Sequence, residues 1–97
     1  MPRFAIVGTF ALAPEQRDRF VALLMAHRAR CLKDEPGTLS FEVLAPEEDA
    51  TSVLSYEIYR DAAAFDVHRG GPSLAQWRAE TAGMIAQVSV TRCTVVE

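Results

Sequence analysis

Thr38-Leu-Ser-Phe-Glu-Val-Leu44, Ala45-Pro-Glu-Glu-Asp-Ala50 and Thr51-Ser-Val-Leu-Ser-Tyr-Glu-Ile-Tyr-Arg60 form one continuous stretch. It decides the fold. Its first part alternates, with Leu39, Phe41 and Val43 opposing Ser40, Glu42 and Leu44, and its last part is the richest β-forming run in the chain. The polar turn at Pro46-Glu-Glu-Asp49 between them makes the pair an antiparallel hairpin.

Upstream of the hairpin, Phe4 to Leu12 reads as a strand. Phe4, Ile6 and Phe10 lie on one face, and Ala5, Val7 and Thr9 on the other. Pro14 suits the first turn of a helix that runs from Glu15 to about Asp34, with Phe20, Leu23, Leu24 and Cys31 on its apolar stripe. Pro36-Gly37 stops it. Downstream, Asp61 is placed to cap a short helix from Ala62 to Arg69, and Gly70-Gly71-Pro72 separates this from a second helix, Ser73 to Ile85. Gln87 to Val96 is the last strand.

Strand, helix, hairpin, helix pair, strand is the order of a ferredoxin-like α+β domain, βαββαβ, with an antiparallel sheet and helices on one face. The chain has 97 residues, so 1–97 is one domain. Apolar residues at Val53, Leu54, Ile58, Val88, Val90, Val95 and Val96 leave both sheet faces in need of cover. Leaving the second face in water is costly for a domain this small, so a second copy docked sheet to sheet, a homodimer, is expected.

Composition narrows the function. Apolar residues make up 49% of the chain and charged residues 24%, a globular balance. The net charge of −3 comes without a basic tract, which argues against nucleic acid. No apolar run reaches the ~18 residues of a membrane span, and the N-terminal residues lack a signal-peptide layout, so a cytoplasmic protein is expected. His27 and Cys31 are four apart on one helix and could share a metal. Two ligands do not close a tetrahedral site, and nothing in the sequence points to the others, so no metal is expected. Cys31 and Cys93 read as reduced thiols.

His68 and Glu57 are the residues with chemical promise. His68 ends a short helix just before the Gly-Gly-Pro break, where an imidazole can face a cavity, although a helix-end cation on the dipole is the alternative. Glu57 interrupts a β-forming run and shares a face with Ser55 and Tyr59, where it could also serve only to pair an arginine. His27 reads as a helix-edge side chain or a satisfied polar group of the core.

Glu35-Pro-Gly-Thr-Leu-Ser-Phe-Glu-Val43, Tyr56-Glu-Ile-Tyr-Arg-Asp61, Ala64-Phe65, His68 and the Pro72 to Trp77 segment together resemble the antibiotic biosynthesis monooxygenase family, the dimeric α+β-barrel quinol-type monooxygenases. The resemblance spans nearly the whole chain. It implies the fold and the dimer reached above, and a pocket between sheet and helices onto which Phe41, Tyr59, His68 and Trp77 map, beside Glu57 and Ser55. Many members carry a second His after the proline; here that residue is Ser73. Haem-degrading relatives bear an Asn and an iron-binding His where this chain has Gly8 and Trp77, so haem is disfavoured.

The expected chemistry is cofactor-independent oxygenation of a hydroquinone or polyphenol to a quinone, with dioxygen as co-substrate. His68 acts as base, Glu57 orients it or stabilises its protonated form, and Phe41, Tyr59 and Trp77 grip the ring. No Gly-rich dinucleotide loop is present. The alternatives are an isomerase or another proton-transfer enzyme on the same scaffold, and a non-catalytic dimer that binds a small ligand.

Overall fold

The computed structural model describes residues 2–97. The elements are β1 (Phe4–Leu12), α1 (Arg17–Asp34), β2 (Thr38–Leu44), β3 (Ser52–Tyr59), α2 (Ala62–Arg69), α3 (Pro72–Glu80) and β4 (Ile85–Thr94). The sheet runs β2-β3-β1-β4 with every neighbouring pair antiparallel, the ferredoxin-like order. No helix among the described residues is long and apolar enough to cross a membrane.

Local chemistry explains most boundaries. In the hairpin, the Asp49 carboxylate accepts from Thr51 N, Thr51 Oγ1 and Ser52 Oγ at 2.7–2.9 Å. Those bonds hold its carboxyl below the usual aspartate range. Asp61 caps α2 as its position predicts, accepting from Ala64 N at 2.8 Å, and Pro72 opens α3 at a position where no N–H is needed.

Three boundaries differ from the sequence reading. α1 starts at Arg17, because Ala13 to Gln16 close a separate turn in which Glu15 has φ +64°. Pro14 therefore lies in that turn rather than in the helix. α3 ends at Glu80, where Thr81 Oγ1 and Thr81 N both turn back to the Trp77 carbonyl, and Gly83 then takes φ +84°, a conformation free of strain only for glycine. Ile85, expected in that helix, instead opens β4 opposite Leu12. A register shift between Thr38 and Ser40 leaves Leu39 without a partner in β3 and exposed, so it does not share the core with Phe41.

All three helices lie on the face that carries Ile6, Phe10, Phe41, Val53, Ser55 and Glu57. Phe20, Leu24 and Cys31 of α1 pack with Phe10, Leu12, Phe41 and Val53 of the sheet and with Trp77 and Met84. The rings of Phe10, Phe20 and Trp77 meet at 5.3–5.7 Å between centroids, at tilted or edge-on angles. No helix contact reaches across β4 to the same extent. Val88 and Val90 therefore stay 52% and 55% exposed although they point to the helix side, paired with Phe10 and Gly8. The opposite face carries Leu54, Tyr56 and Leu44, of which Tyr56 and Leu44 are exposed.

Candidate functional site

The gap between α2, α3 and the uncovered part of the sheet is a cavity of about 500 Å³, within the range of small-molecule sites. Phe41, Ser55 and Glu57 come from the sheet, His27 from α1, Phe65 and His68 from α2, and Trp77 from α3.

Strand parity places Glu57 on the cavity side, and its neighbours fix its carboxylate. Ser55 Oγ donates to Glu57 Oε2 at 2.7 Å, and the Tyr59 hydroxyl donates to Glu57 Oε1 at 2.6 Å. Burial, reinforced by the Glu57 charge, pushes the Tyr59 phenol upward, so it remains a proton donor. Ser55 has room for this bond because residue 8 is glycine: a Cβ there would stand 2.8 Å from Ser55 Oγ.

His68 is buried, and its Nδ1 lies 2.7 Å from Glu35 Oε1. Thr38 Oγ1 donates to the same carboxylate oxygen at 3.2 Å. The carboxylate only accepts, so it selects the Nδ1–H tautomer and leaves the lone pair on Nε2. Beside it, the His27 ring stacks on Trp77 at 5.3 Å and 25° and meets Phe41 edge-on at 5.7 Å. Burial first, then the neighbouring His68 charge, lowers His27 to about 4, so this imidazole is neutral at pH 7.

Phe41, Ser55, Glu57, His68 and Trp77 thus gather at one cavity as the sequence anticipates. Two expectations are corrected. Tyr59 does not line the cavity; it is wholly buried behind Glu57 and holds that carboxylate instead of gripping a ring. Glu57 is not the hydrogen-bond partner of His68: its oxygens accept from Ser55 and Tyr59, while His68 Nδ1 meets Glu35, which stands in the helper position. Sequence reading missed Glu35, yet a signal was present. It is the C-cap of α1, where the helix dipole disfavours a negative charge, so a carboxylate there calls for a cationic or donor partner.

A third correction concerns Cys31. The sequence offered only His27 beside it, whereas the structure adds His68: their ligand atoms lie within 4.8 Å of one another. Cys31 Sγ is 3.5 Å from His27 Nε2 and 3.7 Å from His68 Nδ1. Burial, with the Glu35 and Glu57 charges, pushes the Cys31 thiol up to about 12. A metal held by Cys31 Sγ and His68 Nδ1 would have to deprotonate that thiol and displace Glu35, which lies at the shorter distance from Nδ1. As it stands, the cluster is a thiol–imidazole–carboxylate network.

Residues 3–80 match the model of the family described as "Antibiotic biosynthesis monooxygenase". An uncharacterized Synechocystis protein is 24% identical over 82 residues, which cover 84% of this chain and 55% of that protein. The chain therefore spans about half the length of that curated relative. A Mycobacterium tuberculosis structure of unstated function is 27% identical, covers 98% of this chain and 96% of its own, and superposes with a TM-score of 0.86. A Caulobacter crescentus structure provisionally named as an antibiotic biosynthesis monooxygenase is 18% identical, with coverage of 99% and 92% and a TM-score of 0.92. A similarly named Bacteroides thetaiotaomicron structure gives 23%, 99% and 91%, and 0.89. These last two likenesses bear on the fold alone.

Proposed function

The chain belongs to the antibiotic biosynthesis monooxygenase family, and from that premise we propose that its cavity adds dioxygen to an electron-rich aromatic, a hydroquinone or polyphenol, without a protein-bound cofactor. The observation that carries this reading is the Glu35–His68 pair beside an aromatic-walled cavity. With Nδ1 held, His68 Nε2 takes a phenolic proton, and Glu35 stabilises the imidazolium that forms. The phenolate passes an electron to dioxygen, and the two radicals combine to form a carbon–oxygen bond. The hydroperoxide loses water to give the quinone. One oxygen atom stays on the ring, the other leaves with two hydrogens, and the substrate supplies all the electrons. Glu57 takes the proton from the ring carbon that bears the peroxide. Phe41 and Trp77 stack on the ring and exclude water.

The exposed Leu44 and Tyr56 on the far face support a homodimer through the sheet. That arrangement leaves the cavity, on the helix side, uncovered. The expected location is the cytoplasm.

Two acid–base groups on one cavity also suit isomerisation, and a single experiment separates the readings. Oxygen uptake by chelator-treated protein is measured over a panel of hydroquinones and polyphenols, with His68→Ala alongside. Uptake that falls about a hundredfold or more in the variant supports His68 as base. Equal uptake in both proteins removes that assignment, and no uptake across the panel overturns oxygenation.

A further inference from the structure

The cavity is lined at its rim by three arginines, Arg69, Arg78 and Arg92. They are three of the ten basic residues in a chain of net charge −3, so their convergence is not a reflection of overall composition. Their partners differ. Arg69 pairs with Asp66 at 3.2 Å, but Arg78 and Arg92 make no ion pair with the described residues. The Arg92 guanidinium lies 5.1 Å from the Phe4 ring centroid and 5.2 Å from that of Phe65, and Arg69 approaches the same Phe65 ring at 5.9 Å. Stacked arginines keep their orientation, so little side-chain freedom is lost when an anion binds.

A second observation points the same way. Trp77 is 6% exposed, lines the cavity, and its buried Nε1–H has no acceptor among the described residues. A buried donor left unpaired is costly. The rim and this wall therefore offer donors to a ligand rich in acceptors. The Glu57 carboxylate on the cavity side accepts from Ser55 and Tyr59 and not from an arginine, so it does not pair with Arg78 or Arg92.

The sheet register sets the spacing. Glu57, Ile6 and Arg92 face one another across three adjacent strands, which separates Glu57 from Arg92 by two strand spacings, about 10 Å. One or two fused rings with a side group span that distance.

Resting on the reading of the cavity as a site for an oxidisable aromatic, we propose that Arg92 and Arg78, assisted by Arg69, bind a carboxylate on that aromatic, at the end remote from Glu57. The substrate class is thus an aromatic acid, not a neutral quinol. Arg92 acts on affinity and takes no part in proton transfer.

The test is anaerobic binding of 1,4-dihydroxy-2-naphthoate and of its methyl ester, followed by quenching of Trp77, the only tryptophan. The acid is expected to bind at least about tenfold more tightly than the ester. That preference shrinks in Arg92→Met and in Arg78→Met, while affinity for the ester holds, and it shrinks in high salt. Arg92→Lys, which keeps the charge and loses the fork, falls between. Equal binding of acid and ester, binding of neither, or a loss of both together in a folded Arg92→Met overturns the proposal. The same ligands with oxygen readmitted keep the two ideas apart. A carboxylate preference without oxygen uptake sinks the oxygenase reading and leaves the subsite, whereas uptake with no preference does the reverse.

Discussion

Glu35 and His68, 33 positions apart, are joined side chain to side chain at 2.7 Å in a buried setting. The first is the C-cap of α1 and the second lies one residue from the end of α2, so the bond ties together two helix ends, of which the α2 end lines the cavity through His68. Glu35→Gln keeps the shape and loses the charge. Its amide no longer stabilises an imidazolium at His68, and proton abstraction slows. We expect kcat to fall about a hundredfold while KM changes little. Oxygen uptake under saturating substrate measures it, and a change confined to KM would assign Glu35 to binding instead.

The His27 imidazole is neutral in the folded protein because burial lowers it from 6.5 to about 4. Between those values the unfolded chain binds a proton that the folded chain refuses. Stability therefore falls as pH drops from 6.5 towards 4, by at most about 3 kcal/mol from this residue. Urea titrations at fixed protein concentration across that range should show the loss, and His27→Gln should flatten the slope. An unchanged slope in the variant would assign the acid sensitivity to other groups.

What could be read from the residues alone was whatever repeats at short range. Alternation in the hairpin fixed the face of Glu57, and Asp61 marked its helix start. Parity also placed Ser55 and Tyr59 beside Glu57, but not how far Tyr59 would sink behind it, because depth depends on helices packed from elsewhere in the chain. Leu39 was misplaced since a bulge breaks parity without a sequence mark. The Glu35–His68 bond and the approach of Cys31 to His68 depend on how α1 and α2 sit over the sheet, and no local spacing encodes that.

Gly8 is required by the Ser55–Glu57 bond. Its missing Cβ would lie 2.8 Å from Ser55 Oγ and 3.4 Å from the Phe10 ring. Gly8→Ala forces the hydroxyl away from Glu57 and should cost about 1–3 kcal/mol. The double variant Gly8→Ala/Ser55→Ala removes the clashing oxygen, so it should be more stable than Gly8→Ala alone. Simple additivity of the two substitutions, read from thermal and urea unfolding, would show that the clash is relieved some other way.

Tyr56 faces the opposite side of the sheet from Glu57 and is 42% exposed, with Val7 directly across from it in β1. If that face meets a second copy, Tyr56→Arg places two like charges near a symmetric, desolvated interface. Sedimentation at micromolar concentration should give twice the chain mass for the unmodified protein and the single chain mass for the variant. A monomer in both cases would remove the sheet-to-sheet dimer.

Cys31, fully buried with its thiol pushed up to about 12, lies 3.5 Å from His27 Nε2 and 3.7 Å from His68 Nδ1. Thiolate is the form that binds metals and attacks disulfides, and at neutral pH this site holds almost none. Two outcomes follow. Cys31 should resist a disulfide reagent in the native protein and react once the chain is unfolded in urea. Exhaustive chelation should also leave oxygen uptake unchanged if, as proposed, His68 works as a base held at Nδ1 by the Glu35 carboxylate 2.7 Å away. Cobalt(II) provides the opposing test, because a cobalt thiolate absorbs strongly in the near ultraviolet. Such a band, formed at one equivalent and lost in Cys31→Ser, would mean that metal displaces Glu35, and the base assigned to His68 would have to be given up for a metal ligand.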